Sequence, residues 1–185
     1  MDIMKKPHGF TLIEMMVVIC ITGILLSISI DGLRYLQEQM RATATINQLL
    51  GAVHLARHSA LSRHQLVTLC PTADQKTCSN NWATGMLIIS GKGTTADAGT
   101  RITAFPPLTH GRIEWRAFGG GKKLQFAATG LTFSQNGTFT YCPDDKDLRM
   151  AKALIINKAG RARMAVDLNK DGIVDLRAGE PVQCT

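Results

Sequence analysis

The sequence predicts an α+β chain in which one long N-terminal helix, half of it apolar enough to cross a membrane, packs against a β-rich head. Three observations predict it: an apolar run over residues 10–30, a proline-free helical pattern continuing to about residue 65, and short β-rich runs after residue 66. Averages conceal this arrangement. With 185 residues, 45% hydrophobic, 19% charged and a mean hydropathy of +0.03, the chain has the composition of one soluble domain, which excludes disorder, collagen and a multi-span membrane protein. Lysine and arginine number 21 against 14 acids, a net charge of +7 that points to an anionic partner such as nucleic acid or anionic lipid.

The first element is the run from Phe10 to Ile30, with 15 apolar residues of 21 and Glu14 as its one charge. As a helix it is about 31 Å long, enough to span a hydrocarbon core. Lys5 and Lys6 precede it, as the positive-inside rule asks of a cytoplasmic flank. A cleaved secretory signal also has a basic start and an apolar run, but no small-residue A-x-A site follows this one, and Gly9 lies before it. Glu14 is the functional candidate: a carboxylate near the start of a spanning helix costs a few kcal/mol unless paired. An ammonium at Phe10, created by cleavage after Gly9, would lie about one turn away.

Lys5-Lys6-Pro7-His8-Gly9-Phe10-Thr11-Leu12-Ile13-Glu14 resembles the class III signal of type IV pilins and pseudopilins. The resemblance implies residues 1–9 as a leader removed by a prepilin peptidase, methylation of the new Phe10 amine, an inner-membrane anchor at 10–30 before assembly, and pairing of Glu14 with the terminal amine of a neighbouring subunit.

The second element continues the helix. From Asp31 to about Arg63 there is no proline, and Leu33, Leu36, Met40, Ile46, Leu49, Leu50, Val53, Leu55, Ala56 and Ala60 give a helical apolar stripe. Residues 31–65 are therefore read as the periplasmic half of the helix, weakened by about 1 kcal/mol at each of Gly32 and Gly51. The third element, 66–185, is the head with its C-terminal tail. Its expected strands are Leu66–Cys70, Met86–Ser90, Gly111–Arg116, Lys123–Ala127, Leu131–Phe133, Thr138–Cys142, Ala153–Ile156 and Arg163–Val166. Asn136-Gly137 predicts a hairpin between the fifth and sixth of these, since both residues tolerate the positive φ of a type I′ turn. Gly91–Gly99 and Gly119–Gly121 are expected loops.

Several further motifs, in order, resemble the GspH/FimT family of minor pilins and pseudopilins: Ala56-Arg57-His58-Ser59-Ala60-Leu61-Ser62-Arg63 leading into Val67-Thr68-Leu69-Cys70, then Cys78, Trp82-Ala83-Thr84-Gly85, Phe133-Ser134-Gln135-Asn136-Gly137 and Gly160-Arg161-Ala162-Arg163. The resemblance implies the type IV pilin fold, with a long half-transmembrane helix against an antiparallel sheet, and partnership with major and minor pilins.

Cys20 lies in the membrane segment and reads as a small apolar residue. The other four cysteines allow three pairings, of which spacing favours Cys70–Cys78 and Cys142–Cys184; a zinc site is the alternative, weakened by the absence of C-x-x-C. His54 and His58 stand at i, i+4 but without the glutamate of a metalloprotease motif, so a solvated or interface face is expected. Asp167, Asn169, Asp171 and Asp175 occupy positions 1, 3, 5 and 9 of an EF-hand-like loop with Gly172 at position 6; position 12 is Ala178 where a bidentate glutamate belongs. An acidic turn and a non-EF calcium site are both open readings, and no other cofactor is expected. No nucleophile with a plausible base, paired-acid motif or P-loop is present, so no enzymatic activity is expected.

The charge is localised. Residues 149–163 hold Arg149, Lys152, Lys158, Arg161 and Arg163 with no acid, while the last 22 residues carry a net charge of −2. If Ala159-Gly160 turns a hairpin, Arg161 and Arg163 project from one face of the outgoing strand and Lys158 joins them, about 7 Å apart, suiting successive phosphates of a nucleic-acid backbone. No aromatic residue is interleaved with these basics, so weak base stacking and weak sequence readout are expected. FimT-like members act in DNA uptake during natural transformation, and their Gly-Arg-x-Arg element is similar to this one. The resemblance thus implies a minor type IV pilin that binds extracellular double-stranded DNA through this patch. A purely structural role, as a GspH-like pseudopilin of a type II secretion system or a minor pilin priming assembly, is the alternative.

Overall fold

A computed structural model describes residues 9–91, 93–97, 100–132 and 135–185, the side chains of 28–31 excepted. Two compact units result, 1–37 and 38–185, so the unit boundary falls inside the helix and its second half belongs to the head.

Helix α1 spans Leu12–Arg63. Its start is fixed by a reciprocal cap: the Glu14 amide donates to Thr11 Oγ1 at 3.3 Å and the Thr11 amide donates to Glu14 Oε2 at 3.4 Å. An 18-residue window of α1 has a mean hydropathy of 2.4 with none of it buried, so the helix is long and apolar enough to cross a membrane. At its other end His64 adopts φ +52° and the Gln65 amide reaches back to the Ala60 carbonyl.

Within the second unit, the buried seam of α1 is Ala42, Ile46, Leu49, Val53, Ala56 and Ala60, a 4-3-4-3-4 spacing that keeps one face on the core. This corrects the expected stripe at two positions: Met40 and Leu55 are exposed, and small Ala42 and Ala52 are fully buried in place of larger residues. Leu33 and Leu36, in the first unit, are exposed too.

The head holds two four-stranded antiparallel sheets and a terminal hairpin. Strands β1 (Val67–Pro71), β2 (Met86–Ser90), β3 (Arg101–Phe105) and β5 (Leu124–Phe126) form the first, in the order β3-β2-β1-β5. Strands β4 (Arg112–Ala117), β6 (Gly137–Cys142), β7 (Lys152–Ile156) and β8 (Ala162–Met164) form the second, in the order β4-β6-β7-β8; β9 (Asp175–Arg177) pairs with β10 (Glu180–Pro181). Helix and both sheets share one core, including Leu69, Ile88, Leu124, Phe126, Phe139 and Leu154. Trp115 stacks on Phe139 at 4.1 Å, and Trp82 meets Phe139 edge-on at 4.8 Å.

Two expectations fail. Leu131 and Thr132 form no strand, Phe133 lies outside the described residues, and Asn136-Gly137 turns no hairpin. Gly137 instead begins β6, opposite Ala117 and Ile156. A Cβ there would stand 2.2 Å from the Arg116 carbonyl oxygen, so the glycine serves close strand approach. Strand β3 and the β9–β10 pair were not expected, because Arg101–Phe105 is half-exposed and the last pair is only a few residues long.

Both expected disulfides form, Cys70–Cys78 and Cys142–Cys184. The second joins the end of β6 to the tail over 42 positions, a closure worth about 4 kcal/mol in the chain-entropy model. Replacing Cys142 and Cys184 together by serine in the full-length, detergent-solubilised protein is expected to lower the thermal midpoint by about 10 °C, followed by circular dichroism; a shift under 2 °C would contradict that role.

Candidate functional site

The basic turn is built by local bonds. Between β7 and β8 the Gly160 amide donates to the Asn157 carbonyl at 2.9 Å, the Asn157 amide to the Arg161 carbonyl at 3.1 Å, and the Arg161 amide to Asn157 Oδ1 at 3.0 Å. Gly160 adopts φ +71°, where an L side chain is strained. A second reason requires glycine: a Cβ would lie 2.1 Å from the Gly130 carbonyl oxygen. That oxygen also accepts from Arg57 Nε at 3.2 Å, so the helix, the 127–132 segment and the turn meet at one point. Buried Thr132 completes the junction, its amide donating to the Lys158 carbonyl at 3.1 Å and its hydroxyl to the Asn157 carbonyl at 3.1 Å.

The register Ile155↔Arg163 and Ile156↔Ala162 puts Ala162 and Met164 against the core, while Arg161 and Arg163 stand exposed on the other face with Lys158 at the turn. Among the described residues no carboxylate is ion-paired with any of the three. Arg163 Nη2 donates to the Leu176 carbonyl at 3.4 Å, which steadies one guanidinium and leaves its charge uncompensated.

The structure adds a residue that linear reading missed. Phe118 is 79% exposed, and Lys158 Nζ stands 6.0 Å from its ring centroid. No aromatic is interleaved with the basics in sequence, but Phe118, forty residues away from Lys158, is adjacent to it in space. It opens the β4–β5 connection, which continues through three glycines to Lys122 and Lys123. The only sequence signal was an aromatic and two lysines flanking an expected loop.

Arg149 and Lys152 do not join this end. Lys152 opens β7 opposite Tyr141, the far end of the strand from the turn. Arg149 is turned onto Asp147 through two hydrogen bonds of 3.1 and 3.0 Å, which hold the Asp147 carboxyl below the usual carboxylate range and neutralise the arginine. Arg112 is likewise committed to Glu114, whose carboxyl burial would raise but whose hydrogen bonds to Arg112 and Thr185 lower it on balance. The run of five positive charges is thus reduced to a cluster of three.

Asp167, Asn169, Asp171 and Asp175 lie in one loop between β8 and the start of β9. At the N-terminus, Gly9 and Phe10 are exposed and non-helical immediately before the Thr11–Glu14 cap; residues 1–8 of the expected leader lie outside the described residues.

Gly160→Ala is expected to destabilise the protein by at least about 2 kcal/mol, from left-handed strain and overlap with Gly130, whereas Arg161→Ala should change stability by less than about 0.5 kcal/mol. Thermal melts of the two variants check this; equal midpoints would sink the junction.

Comparison with known proteins gives a family model for residues 45–171, described as type II transport protein GspH, and a second for residues 4–30, described as the prokaryotic N-terminal methylation motif. A search of curated proteins gives no match. Among solved structures, the fold is similar to the type IV minor pilin FimU of Pseudomonas aeruginosa PAO1, at 19% identity over 69% of this chain and 92% of that one, with a TM-score of 0.53. A second crystal form of FimU gives 18% identity over 70% and 89%, with the same TM-score. The minor pseudopilin EpsH of the Vibrio cholerae type 2 secretion system aligns at 14% identity over 67% and 95%, with a TM-score of 0.49.

Proposed function

The chain belongs to the GspH family of pilin-like proteins, and on that premise we propose that it is a minor pilin that joins a type IV pilus and binds extracellular double-stranded DNA for uptake in natural transformation. The observation that carries the reading is the unneutralised trio Lys158, Arg161 and Arg163 on a turn whose backbone is fixed by Gly130, Thr132 and Arg57. Arginine forks bind phosphate bidentately, and two residues along a strand give a spacing of about 7 Å, close to the spacing of successive phosphates. Held by a rigid turn, the three charges need little ordering on binding. With about three phosphates neutralised, affinity should fall by about 40-fold between 50 and 200 mM salt and depend little on sequence. Several copies in one filament, or neighbouring major and minor pilins with basic patches, supply avidity that one patch lacks.

In this reading a prepilin peptidase cuts between Gly9 and Phe10, the new Phe10 amine is methylated, and α1 anchors the subunit in the inner membrane with its head in the periplasm until assembly. Glu14 then exchanges its contact with the Thr11 amide for the terminal amine of a neighbour. The methylation-motif match over residues 4–30 supports this part.

A second reading, a structural pseudopilin of a type II secretion system, is favoured by the family description itself. The two separate in a gel-shift titration of the full-length protein in detergent with duplex DNA at 50 mM salt. Binding that weakens at least tenfold in Arg161→Gln plus Arg163→Gln is expected. No binding by the folded wild type favours the structural reading; unchanged binding in the folded double variant removes the site.

A further inference from the structure

Phe118 lies outside the hydrophobic core, yet its place beside the basic turn is fixed. The register Ala117↔Gly137, Gly137↔Ile156 and Ile156↔Ala162 sets the end of β4, the start of β6, the end of β7 and the start of β8 in one row. The β4–β5 connection and the basic turn therefore leave the sheet at the same end. The Phe118 amide donates to the Asn136 carbonyl at 2.8 Å, the Gly120 amide to the Ala117 carbonyl at 3.1 Å, and Trp115 Nε1 to the Gly121 carbonyl at 2.9 Å. The backbone on both sides of the ring is tied down while the ring itself is 79% exposed.

A single exposed apolar side chain is ordinary; the neighbours of this one make it informative. Lys158 Nζ stands 6.0 Å from the ring centroid, at the outer limit of a cation–π contact, so the exposed ammonium loses little by turning to a phosphate. Residues 115–143 and 148–166 contain no Asp or Glu, so neither connection at this end carries a charge that repels a polyanion.

We propose that Phe118 is a stacking platform for an unpaired base, which gives the site a preference for single-stranded over duplex DNA. This rests on the reading of Lys158, Arg161 and Arg163 as the phosphate-binding trio. Inside a duplex the faces of each base are covered by its neighbours, and the ring has nothing to lie on. In a single strand a base can turn onto the ring while the adjoining phosphates meet the basic turn. Stacking accepts any base, so the low sequence dependence expected of the trio is unchanged. Charge alone predicts the opposite preference, because a duplex carries the denser phosphates and releases more counterions per contact.

The test is an anisotropy titration of the full-length protein in detergent at low salt, with circular dichroism confirming the fold of each variant. Three probes are compared: a mixed-sequence single strand, the same strand annealed to its complement, and the same strand with abasic sites in place of its bases. The wild type is expected to bind the single strand at least about threefold more tightly than the duplex, and Phe118→Ala to weaken single-strand binding about fivefold or more with duplex binding nearly unchanged. Phe118→Trp should keep the preference, Phe118→Leu should lose it, and the abasic strand should not distinguish wild type from Phe118→Ala. The two readings fail differently. Duplex binding that depends on Arg161 and Arg163, with no single-strand preference or with equal losses on all three probes in Phe118→Ala, overturns the stacking role alone. A folded wild type that binds no probe, or an Arg161→Gln plus Arg163→Gln variant that binds all three as before, overturns both.

Discussion

Everything in the head depends on the helix seam at Ala42, Ile46, Leu49, Val53, Ala56 and Ala60. Neither sheet buries its inner face without it, because both draw on the same core under that one stripe. Arg57 follows directly on a buried seam residue, Ala56, and its Nε arrives at the Gly130 carbonyl oxygen. The basic turn is in this sense tied to the helix through Arg57 and the Gly130 carbonyl.

The long elements were legible in the sequence because periodicity and punctuation act locally. The helix end near Arg63, the second strand, both cysteine pairs and the turn at Ala159-Gly160 all follow from spacing within a few residues or from elimination among few partners. What failed was non-local. Asn136-Gly137 has the chemistry of a turn, yet Gly137 is needed where β4 and β6 come too close for a side chain. Met40 and Leu55 are as apolar as the buried positions, and only helix phase separates them from the seam.

The candidate site shows the same division. Lys158, Arg161 and Arg163 were readable as a unit because a turn and a strand's alternation bring them together. Phe118 was not, since its neighbour Lys158 belongs to another connection. Arg149 looked equivalent to the others in a count of charge, but Asp147, just outside the acid-free window, claims it. Net charge therefore overstates the candidate site, and the charge changes sign within a short distance along the chain from the basic turn to the acidic loop. Arg163, by bonding the Leu176 carbonyl, ties the first to the strand that leaves the second.

Cys142 ends a central strand of its sheet, and its bond to Cys184 makes one covalent ring of β7, the basic turn, β8, the acidic loop and the final hairpin. A protease that cuts at the exposed turn opens this ring without releasing anything. Both new ends remain attached to β6, one through the backbone and the other through sulfur, and the ladder β6-β7-β8 holds them in register. Resistance to loss after a nick is a different property from resistance to unfolding, and this bridge confers it.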